Sequence, residues 1–366
     1  MGTALAVAAG GGGDAITAAM LATAMPELQV ATIMSYSWDR FMIDPTPGPR
    51  NRRDFFGLIE RGGVCQIPET AGLRMGESTL PPLARSLAYP LLLLEAEGGA
   101  AGMGELMRLA AAEFDADELL VIDVGGDIVA EGHEASLRSP LADSLALAAA
   151  IRSGIPTRVL IAGPGLDGEL SPGEVRAQID VLGGHQVCEL TPADATPFED
   201  IWTWHPSEAT ALLAAAAGGW RGLVETQRDA LVELADDATR IFEVDARRLT
   251  ESSLAGPLLS TTSLDQAEQT LRERRGGRSE LDVERRRAAG ERAEVRMPSS
   301  KSLDIIDDHA VQARGRGVDA ITLRRIAELV QAVDPSATRA LRILLTEQRT
   351  HRFRPPLYEI GSGAAI

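Results

Sequence analysis

Residues 118–127 have the sequence ELLVIDVGGD, in which an apolar run ends in two aspartates that flank a glycine pair. A short, continuous apolar run of this kind is typical of a strand that is buried on both faces. Residues 4–15 (ALAVAAGGGGDA) and residues 157–169 (TRVLIAGPGLDGE) repeat the plan of an apolar strand followed by glycines and acids. Ligands of parallel sheets bind outside the carboxyl ends of the strands, where these polar residues fall. The three segments therefore predict a parallel sheet with a ligand site at that edge.

Helix-prone segments separate the predicted strands. The predicted helices span residues 15–24, 103–114, 141–151 and 171–182, and further strands are predicted at residues 29–34 and 239–244. Strands that alternate with helices indicate a sheet covered by helices on both faces. We therefore predict an α/β fold, with a doubly wound, mostly parallel, Rossmann-like sheet and a small helical C-terminal segment.

The composition of the chain changes after residue 250. Residues 1–250 carry the alternating strands and helices and form the predicted Rossmann-like domain with the ligand site. Residues 251–300 form an Arg/Glu-rich connector, whose charge run at residues 272–296 predicts a solvated, salt-bridged helix. Residues 301–358 form the small helical segment, which is a candidate for covering the site or for self-association into a homo-oligomer.

The formal net charge of −17 restricts the partners of this protein. Nucleic acids and acidic membrane surfaces both require clustered positive charge, so we expect neither as a partner. Lys301 is the only lysine, so the first 300 residues offer no lysine for a phosphate loop or a Schiff base. Cys65 and Cys188 form no metal or disulfide pattern, and the N-terminus lacks the basic start of a signal peptide. We expect a cytoplasmic protein.

The first candidate site is the glycine run Gly10, Gly11, Gly12 and Gly13, followed by Asp14. Glycines let backbone N–H groups approach an anion closely, and a helix N-terminus adds a favourable dipole. The run matches the loose dinucleotide pattern G-x-G-x-x-A, but the second strand does not end in the acid that would bind a ribose. Asp14 would repel a pyrophosphate unless it binds a cation or a hydroxyl group. The loop is a candidate phosphate site, and a simple tight turn is the alternative.

The second candidate site consists of acids that follow two predicted strands. Asp123 and Asp127 flank Gly125 and Gly126, and Asp167 lies in a second glycine-rich turn. Buried carboxylates are costly unless they are paired, hydrogen-bonded or bound to a cation. Mg²⁺ prefers one or two carboxylates together with water and phosphate oxygens. The pattern predicts Mg²⁺ binding by Asp123 and Asp127 or binding of ribose hydroxyls, and capping of a turn is the alternative.

Five further residues are candidates for binding or catalysis. Arg40 and Arg50, in the long loop after the second strand, have the donor geometry to clamp a phosphate, and Trp38 can stack on a base or a sugar. An ordered surface loop is the alternative. His205, beside a capped helix start, and Glu134 are candidate proton-transfer groups. A structural histidine is the alternative for His205.

Taken together, the motifs resemble those of a family of microbial α/β proteins known only as a domain of unknown function. The motifs that carry the resemblance are Gly10–Asp14, Trp38–Arg40, Asp44–Pro45, Gly48–Arg50, Asp123–Asp127, Ser139–Asp143 and Asp167–Leu170. The resemblance covers about residues 4–250 and, more loosely, the C-terminal segment. It implies that these positions form one site, and it names no reaction.

Three function classes fit these observations. The leading hypothesis is a Mg²⁺-dependent enzyme, of the transferase or hydrolase type, that acts on a nucleotide or another phosphorylated small molecule. The alternatives are an NAD(P)- or flavin-dependent oxidoreductase that uses the same glycine loop, and a ligand-binding or scaffold protein without catalysis. The chain has no G-x-x-x-x-G-K-[ST], G-x-S-x-G or H-E-x-x-H motif. This absence disfavours P-loop kinases, serine hydrolases and zincins.

Overall fold

The predicted apolar runs form strands, and the segments between them form helices, in the computed structural model, which describes residues 2–290 and 294–360. The strands, numbered along the chain, are β1 (Ala4–Ala8), β2 (Val30–Ser35), β3 (Phe55–Phe56), β4 (Ile59–Arg61), β5 (Val64–Gln66), β6 (Gly72–Leu73), β7 (Leu91–Leu93), β8 (Glu118–Val124), β9 (Thr157–Ala162), β10 (His185–Glu189), β11 (Gly222–Glu225), β12 (Leu231–Leu234), β13 (Arg240–Asp245), β14 (Ala320–Thr322), β15 (Phe353–Arg354) and β16 (Leu357–Glu359). The helices are α1 (Gly12–Ala24), α2 (Leu80–Ser86), α3 (Gly99–Glu113), α4 (Leu141–Ser153), α5 (Pro172–Val181), α6 (Pro192–Ala195), α7 (Ala209–Ala217), α8 (Ala246–Ser252), α9 (Ala255–Leu258), α10 (Leu264–Arg274), α11 (Glu280–Ala288), α12 (Ser300–Gly315), α13 (Leu323–Leu329) and α14 (Pro335–Gln348).

The main sheet has nine strands in the order β10-β13-β9-β8-β1-β2-β7-β5-β4. The five central strands, from β9 to β7, are parallel to one another, and the flanking strands pair antiparallel. From β1 the chain first builds the sheet towards β2 and β7, and it then returns to the other side of β1 to form β8 and β9. The strand order therefore reverses between β1 and β8. In open α/β sheets, ligands bind at such a reversal, outside the carboxyl ends of the strands.

Both faces of the central sheet are buried, which confirms the doubly wound α/β fold. In β1, Leu5 and Val7 pack into one core, and the alternating alanines Ala4, Ala6 and Ala8 pack into the other. The first core contains residues of α3 and α4, and the second contains residues of α1 and α7. Successive strand residues point to opposite faces, so a strand that is covered on both sides needs apolar residues at every position. This requirement explains the unbroken apolar runs in the sequence.

A second, five-stranded sheet has the order β12-β11-β14-β16-β15 and joins two distant parts of the chain. It combines strands from residues 222–234 with strands from residues 320–359. Helices α12, α13 and α14 pack on a separate core that includes Leu303, Ile326 and Leu341. The C-terminal segment is therefore helical, as expected, and it also contributes strands. The division of the chain at residues 250 and 300 stays a prediction.

The charge run at residues 272–296 differs from the single solvated helix that we predicted. It forms parts of α10 and α11, and Gly276 and Gly277 separate the two helices with left-handed backbone conformations (φ 59° and 89°). One side is buried, because Leu281 is only 2% exposed and packs into the core. The sequence prediction counted charges and did not account for the turn or for the apolar contact. Residues 291–293 of this run lie outside the described residues.

Helix α1 also begins earlier than predicted, at Gly12 instead of Ala15. Only Gly10 and Gly11 therefore form the turn, and Gly11 takes a left-handed conformation (φ 112°) that favours glycine. Among the helices in residues 2–290 and 294–360, none is long and apolar enough to cross a membrane.

Candidate functional site

A cavity of about 1060 Å³ lies at the carboxyl ends of β1 and β8, where the strand order reverses. Its lining comes from several parts of the chain. The turns after β1, β2, β8 and β9 contribute, as do residues 135–143 at the start of α4 and residues 205–209 at the start of α7. Further residues come from α11 and the turn before it, from α13, and from the turn between β11 and β12. The predicted ligand edge of the sheet is therefore a cavity that the connector and the C-terminal segment help to build.

Three buried aspartates form what we call the acidic floor of the cavity, namely Asp14, Asp123 and Asp143. One carboxylate oxygen of each lies within 4.8 Å of one from each of the others. Asp123 is 1% exposed, and its Oδ2 atom has no hydrogen-bond partner among the described residues. Hard cations are bound by carboxylate oxygens in this kind of arrangement. The acidic floor therefore has the donor atoms and the spacing for a metal ion.

Gly10 allows the acidic floor to form. Its N–H group donates a hydrogen bond to Asp14 Oδ2 at 2.7 Å. A Cβ atom at position 10 would lie 2.9 Å from Asp14 Oδ2 and 3.2 Å from Asp143 Oδ1. Any side chain would push these carboxylates away, so glycine is required here for close approach and not for an unusual backbone angle.

Burial and like charges outweigh the positive charge near the acidic floor, which comes from Arg40. Burial, and after it the charge of Asp143, raises the pKa of both Asp14 and Asp123 well above the usual range. Burial and the nearby Glu169 raise the pKa of Asp143 to about 7. Desolvation and like charges both favour the protonated form of a carboxylic acid. A bound cation would reverse this effect and hold all three groups in the charged form.

A second group of acids surrounds the acidic floor. Burial and Glu169 raise the pKa of Asp167 to about 8, and burial and Asp143 raise that of Asp127. Asp167 Oδ1 accepts the N–H of Glu169 at 2.8 Å. At Gly125 (φ 109°), a Cβ atom would lie 2.4 Å from Asp167 Cγ, so this glycine makes room for the acid.

Nine arginines of the described residues line the cavity, and we call five of them, whose charges act on one another, the arginine wall. They are Arg40, Arg138, Arg228, Arg287 and Arg324. Burial lowers the pKa of Arg228, and the charges of Arg138, Arg287 and Arg40 lower it further. Burial lowers the pKa of Arg324 to about 10, with Glu208 acting in the opposite direction and Arg40 and Arg228 adding to the decrease. Mutual repulsion of arginines that line one cavity indicates a place for an anion.

Helix α11 closes one side of the cavity through its acids. Trp38 Nε1 donates to Glu284 Oε1 at 3.1 Å, and the N–H of Gly48 donates to Glu284 Oε2 at 2.8 Å. The N–H of Leu141 donates to Glu280 Oε2 at 3.2 Å, and burial raises the pKa of Glu280 well above the usual range. These contacts fix Trp38 at the edge of the cavity, where its stacking on a base or a sugar stays a prediction.

The structure brings most of the predicted site residues together. Those that line the cavity are Gly10, Gly12, Gly13, Asp14, Trp38, Arg40, Asp123, Asp127, Asp167 and His205. Gly11, Gly125 and Gly126 shape the turns behind the cavity without lining it. Arg50 and Glu134 do not line it either.

Arg50 and Glu134 are engaged elsewhere. Arg50 Nε and an Arg50 Nη atom bind the two carboxylate oxygens of the buried Asp44 at 2.6 and 2.7 Å. The Glu134 carboxylate accepts hydrogen bonds from the N–H groups of Glu131 and Gly132 at 2.7 and 2.8 Å, and these bonds stabilise the turn that contains it. Neither a phosphate-clamping role for Arg50 nor a proton-transfer role for Glu134 is favoured by these contacts.

Sequence reasoning missed part of the site. The sequence prediction includes Asp143 only within the Ser139–Asp143 motif and gives it no role of its own, yet its carboxylate belongs to the acidic floor. Its position in the Ser139–Asp143 motif, before a helix and between two acidic turns, was the available signal. Arg228, Arg324 and Glu280 come from distant segments, and the sequence around them carries no pattern that separates them from surface charges.

The family comparison agrees with the resemblance noted in the motifs. Comparison with curated proteins and with solved structures gives no match. The sequence profile of one family, described as "Protein of unknown function (DUF1152)", matches residues 5–288 and so spans both the acidic floor and α11. This match covers more than half of the 366 residues, and the chain therefore belongs to the DUF1152 family.

Proposed function

We propose that this protein is a Mg²⁺-dependent enzyme that acts on a nucleotide or another phosphorylated small molecule. The observation that carries the proposal is the unpartnered Oδ2 atom of Asp123, 1% exposed, beside the carboxylates of Asp14 and Asp143. Three buried acids with too little positive charge around them are costly to keep ionised. A bound divalent cation offsets that cost, so metal binding explains why three acids are buried together in the acidic floor.

Mg²⁺ suits the acidic floor because all the candidate ligand atoms are carboxylate oxygens. It usually retains water molecules and shares its coordination with phosphate oxygens of a substrate. When bound, the metal would polarise a phosphoryl oxygen and offset the charge that develops during transfer or hydrolysis. Asp123 and Asp127, predicted from the sequence, would then act with Asp14 and Asp143.

The arginine wall supports a phosphorylated ligand. Arg40 lies close enough to the acidic floor to lower the pKa of both Asp14 and Asp143, so one ligand can span the two regions. An anion with a bound cation matches a cavity that is lined by both acids and arginines. The volume of about 1060 Å³ is sufficient for a nucleotide.

The direct test is a thermal-shift and calorimetry series with Mg²⁺ or a chelator. The ligands are ATP, ADP-ribose, NAD, NADP and simple sugar phosphates, and ³¹P NMR follows any turnover. A specific ligand raises the apparent stability by mass action. We expect stabilisation by one phosphorylated compound, its loss on chelation, and slow conversion of that compound. Stabilisation by NAD or NADP without regard to the metal would instead indicate an oxidoreductase, and binding without conversion would indicate a ligand-binding protein.

Asp123→Asn is the decisive variant, because it keeps the size of the side chain and removes the charge. We expect it to abolish the Mg²⁺-dependent shift. Asp180→Asn is the matched control, since Asp180 is a largely exposed aspartate on α5 outside the cavity. Equal Mg²⁺ affinity in wild type and in Asp123→Asn would contradict the proposal.

A further inference from the structure

His205 is a buried ring with one nitrogen unused. The residue is 5% exposed, and its Nε2 atom has no hydrogen-bond partner among the described residues. Its Nδ1 atom is engaged, because the backbone N–H of Ser207 lies 3.1 Å away and donates to it. Buried polar atoms usually have partners, so a free one that lines a cavity indicates a partner from outside the chain.

The contact with Ser207 determines which nitrogen of His205 carries the proton. A backbone N–H can only donate, so Nδ1 must accept and must be unprotonated. In the neutral ring the proton then lies on Nε2, which makes Nε2–H a donor. Burial and the nearby Arg342 lower the pKa of His205 to about 3, so the ring is uncharged at neutral pH. His205 is therefore arranged to donate a hydrogen bond and not to take up a proton.

The free nitrogen is aimed at the N-terminus of α1, a helix of 13 residues. A Cβ atom at Gly12 would lie 3.5 Å from His205 Nε2, and one at Gly13 would lie 2.5 Å from Ser207 Oγ. The N-cap residue, Gly11, has no side chain to accept from the first turn. The first N–H groups of a helix have no partner within the helix, and they attract anions. His205 Nε2 and Ser207 Oγ therefore both lie beside the first turn of α1.

We propose that His205 Nε2, the N–H groups of Gly12 and Gly13 and the Ser207 hydroxyl form an uncharged subsite for a phosphoryl group of the ligand. The inference rests on the proposed function and assigns the part of the ligand that lies against α1. It gives His205 the role of a binding donor instead of the general base expected from the sequence. Asp14 lies in the same turn of α1, so the phosphoryl group would contact the acidic floor through its metal and α1 through these donors.

Uncharged donors suit this position for a physical reason. A cationic side chain in place of His205 would add to the charge of Arg40 and compete with the metal for the carboxylates of the acidic floor. A neutral imidazole and backbone amides bind phosphoryl oxygens without that competition. Glycine at positions 12 and 13 keeps the approach open, because a Cβ atom at position 12 would lie 2.8 Å from Thr79 Oγ1 and would crowd the donors.

NMR of the wild-type protein with ¹⁵N-labelled histidine tests the inference without any mutation. The chain has five histidines, so the resonances are few. We expect His205 to carry its proton on Nε2 at pH 7. On titration with inorganic phosphate in the presence of Mg²⁺, we expect the Nε2 resonance to shift, while the exposed His351 stays unchanged. A proton on Nδ1, or phosphate binding that leaves the His205 resonance unmoved, would overturn the inference.

His205→Phe removes the donor and keeps a ring of similar size. We expect it to weaken the binding of inorganic phosphate about tenfold or more, because hydrogen bonds to charged groups are among the stronger ones. His205→Gln, which keeps an N–H donor, should recover part of the affinity, and His351→Phe is the matched control. Unchanged phosphate affinity in folded His205→Phe would contradict the subsite.

The same samples separate this inference from the proposed function. Mg²⁺ affinity, measured alone by calorimetry, should be equal in wild type and His205→Phe. Failure of Mg²⁺ to bind, with a His205 response to phosphate that persists, would contradict the metal-dependent function and leave the subsite in place. Normal Mg²⁺ binding without a His205 response would contradict only the subsite.

Discussion

The acidic floor and the surroundings of Glu225 both contain buried carboxylates, but the pKa values of these carboxylates are shifted in opposite directions. Glu225, at the end of β11, is 1% exposed and binds His309 Nε2 and Arg325 Nε through Oε1 at 2.8 Å each, and Arg316 through Oε2. Although burial acts to raise the pKa of Glu225, the hydrogen bonds from Arg325 and His309 lower it overall. In the acidic floor, the pKa of Asp14, Asp123 and Asp143 is raised.

This difference separates a structural carboxylate from a binding site. Glu225 holds the C-terminal segment to β11 with charges from its own chain, so it needs nothing from solution. The acidic floor has acids as its near neighbours and leaves an oxygen of Asp123 without a partner. Burial alone is therefore not the signal of a site. A binding site is indicated where buried carboxylates lack enough cationic partners from the chain itself.

The largest expected effect is the loss of folding stability when the charge of Glu225 is removed. Glu225→Gln removes the buried charge that binds Arg316, Arg325 and His309. Arg325 keeps ion pairs with Asp229 and Glu328, so the cost is at most the roughly 3–5 kcal/mol of breaking a buried pair. We expect the free energy of unfolding of Glu225→Gln to fall by up to that amount in urea denaturation, with Mg²⁺ affinity unchanged. A loss of less than about 1 kcal/mol would show that the cluster around Glu225 is not structural.

Asp123→Asn should have the opposite sign in the absence of metal. It removes a buried ionisable group whose pKa is raised by burial and by like charges, so we expect the free energy of unfolding at pH 8 to rise by about 1–3 kcal/mol. The same urea experiment in the presence of a chelator measures it. Destabilisation of the metal-free protein by Asp123→Asn would show that Asp123, like Glu225, is a structural carboxylate, which contradicts the proposed difference between the two regions.

The next largest effect is the pH dependence of stability, which should differ between the acids of the cavity and Glu225. The folded pKa values of Asp143 (about 7) and Asp167 (about 8) lie above the unfolded value of 3.8. Folded protein then binds more protons than unfolded protein between about pH 4 and pH 8, so stability falls as the pH rises through this window. We expect metal-free wild type to lose at least about 1.4 kcal/mol between pH 5 and pH 8, the free energy of one pKa unit.

Asp143→Asn provides the check on this prediction, because it should flatten the curve between pH 5 and pH 8. Glu225 contributes with the opposite sign, since its folded pKa is lowered and its contribution is lost only as the pH falls. A stability that rises from pH 5 to pH 8 in metal-free wild type would contradict the assignment of raised pKa values to the acidic floor.

The smallest expected effect compares two arginines. Arg228 belongs to the arginine wall, and Arg316 binds Glu225. We expect Arg228→Gln to weaken the binding of inorganic triphosphate by about threefold to tenfold at low salt, and by less at high salt because ions screen the attraction. Arg316→Gln should lower stability and leave triphosphate affinity unchanged. Calorimetry at two salt concentrations measures both, and equal affinities for the two variants would contradict an anion site at the arginine wall.

Several features of the fold and site were predictable because their causes are local. Strand β9, Thr157–Ala162, is the apolar part of the segment that was predicted at residues 157–169, since a continuous apolar run before a polar turn determines a strand buried on both faces. Asp14, Asp123 and Asp167 were placed at one edge because each follows a parallel strand, and the carboxyl ends of parallel strands lie together.

The tertiary structure alone decided which charges meet. Arg40 and Arg50 share one loop and similar surroundings in the sequence, yet Arg40 lines the cavity while Arg50 is bound to Asp44. Arg228 and Arg324 reach the site from segments far apart in the chain, so no local pattern could identify them. The pKa of a carboxylate depends on burial and on the charges within a few ångströms, and these are properties of packing. Sequence determined the sheet and its polar edge, whereas only the packing of distant segments determined which of the buried charges are balanced.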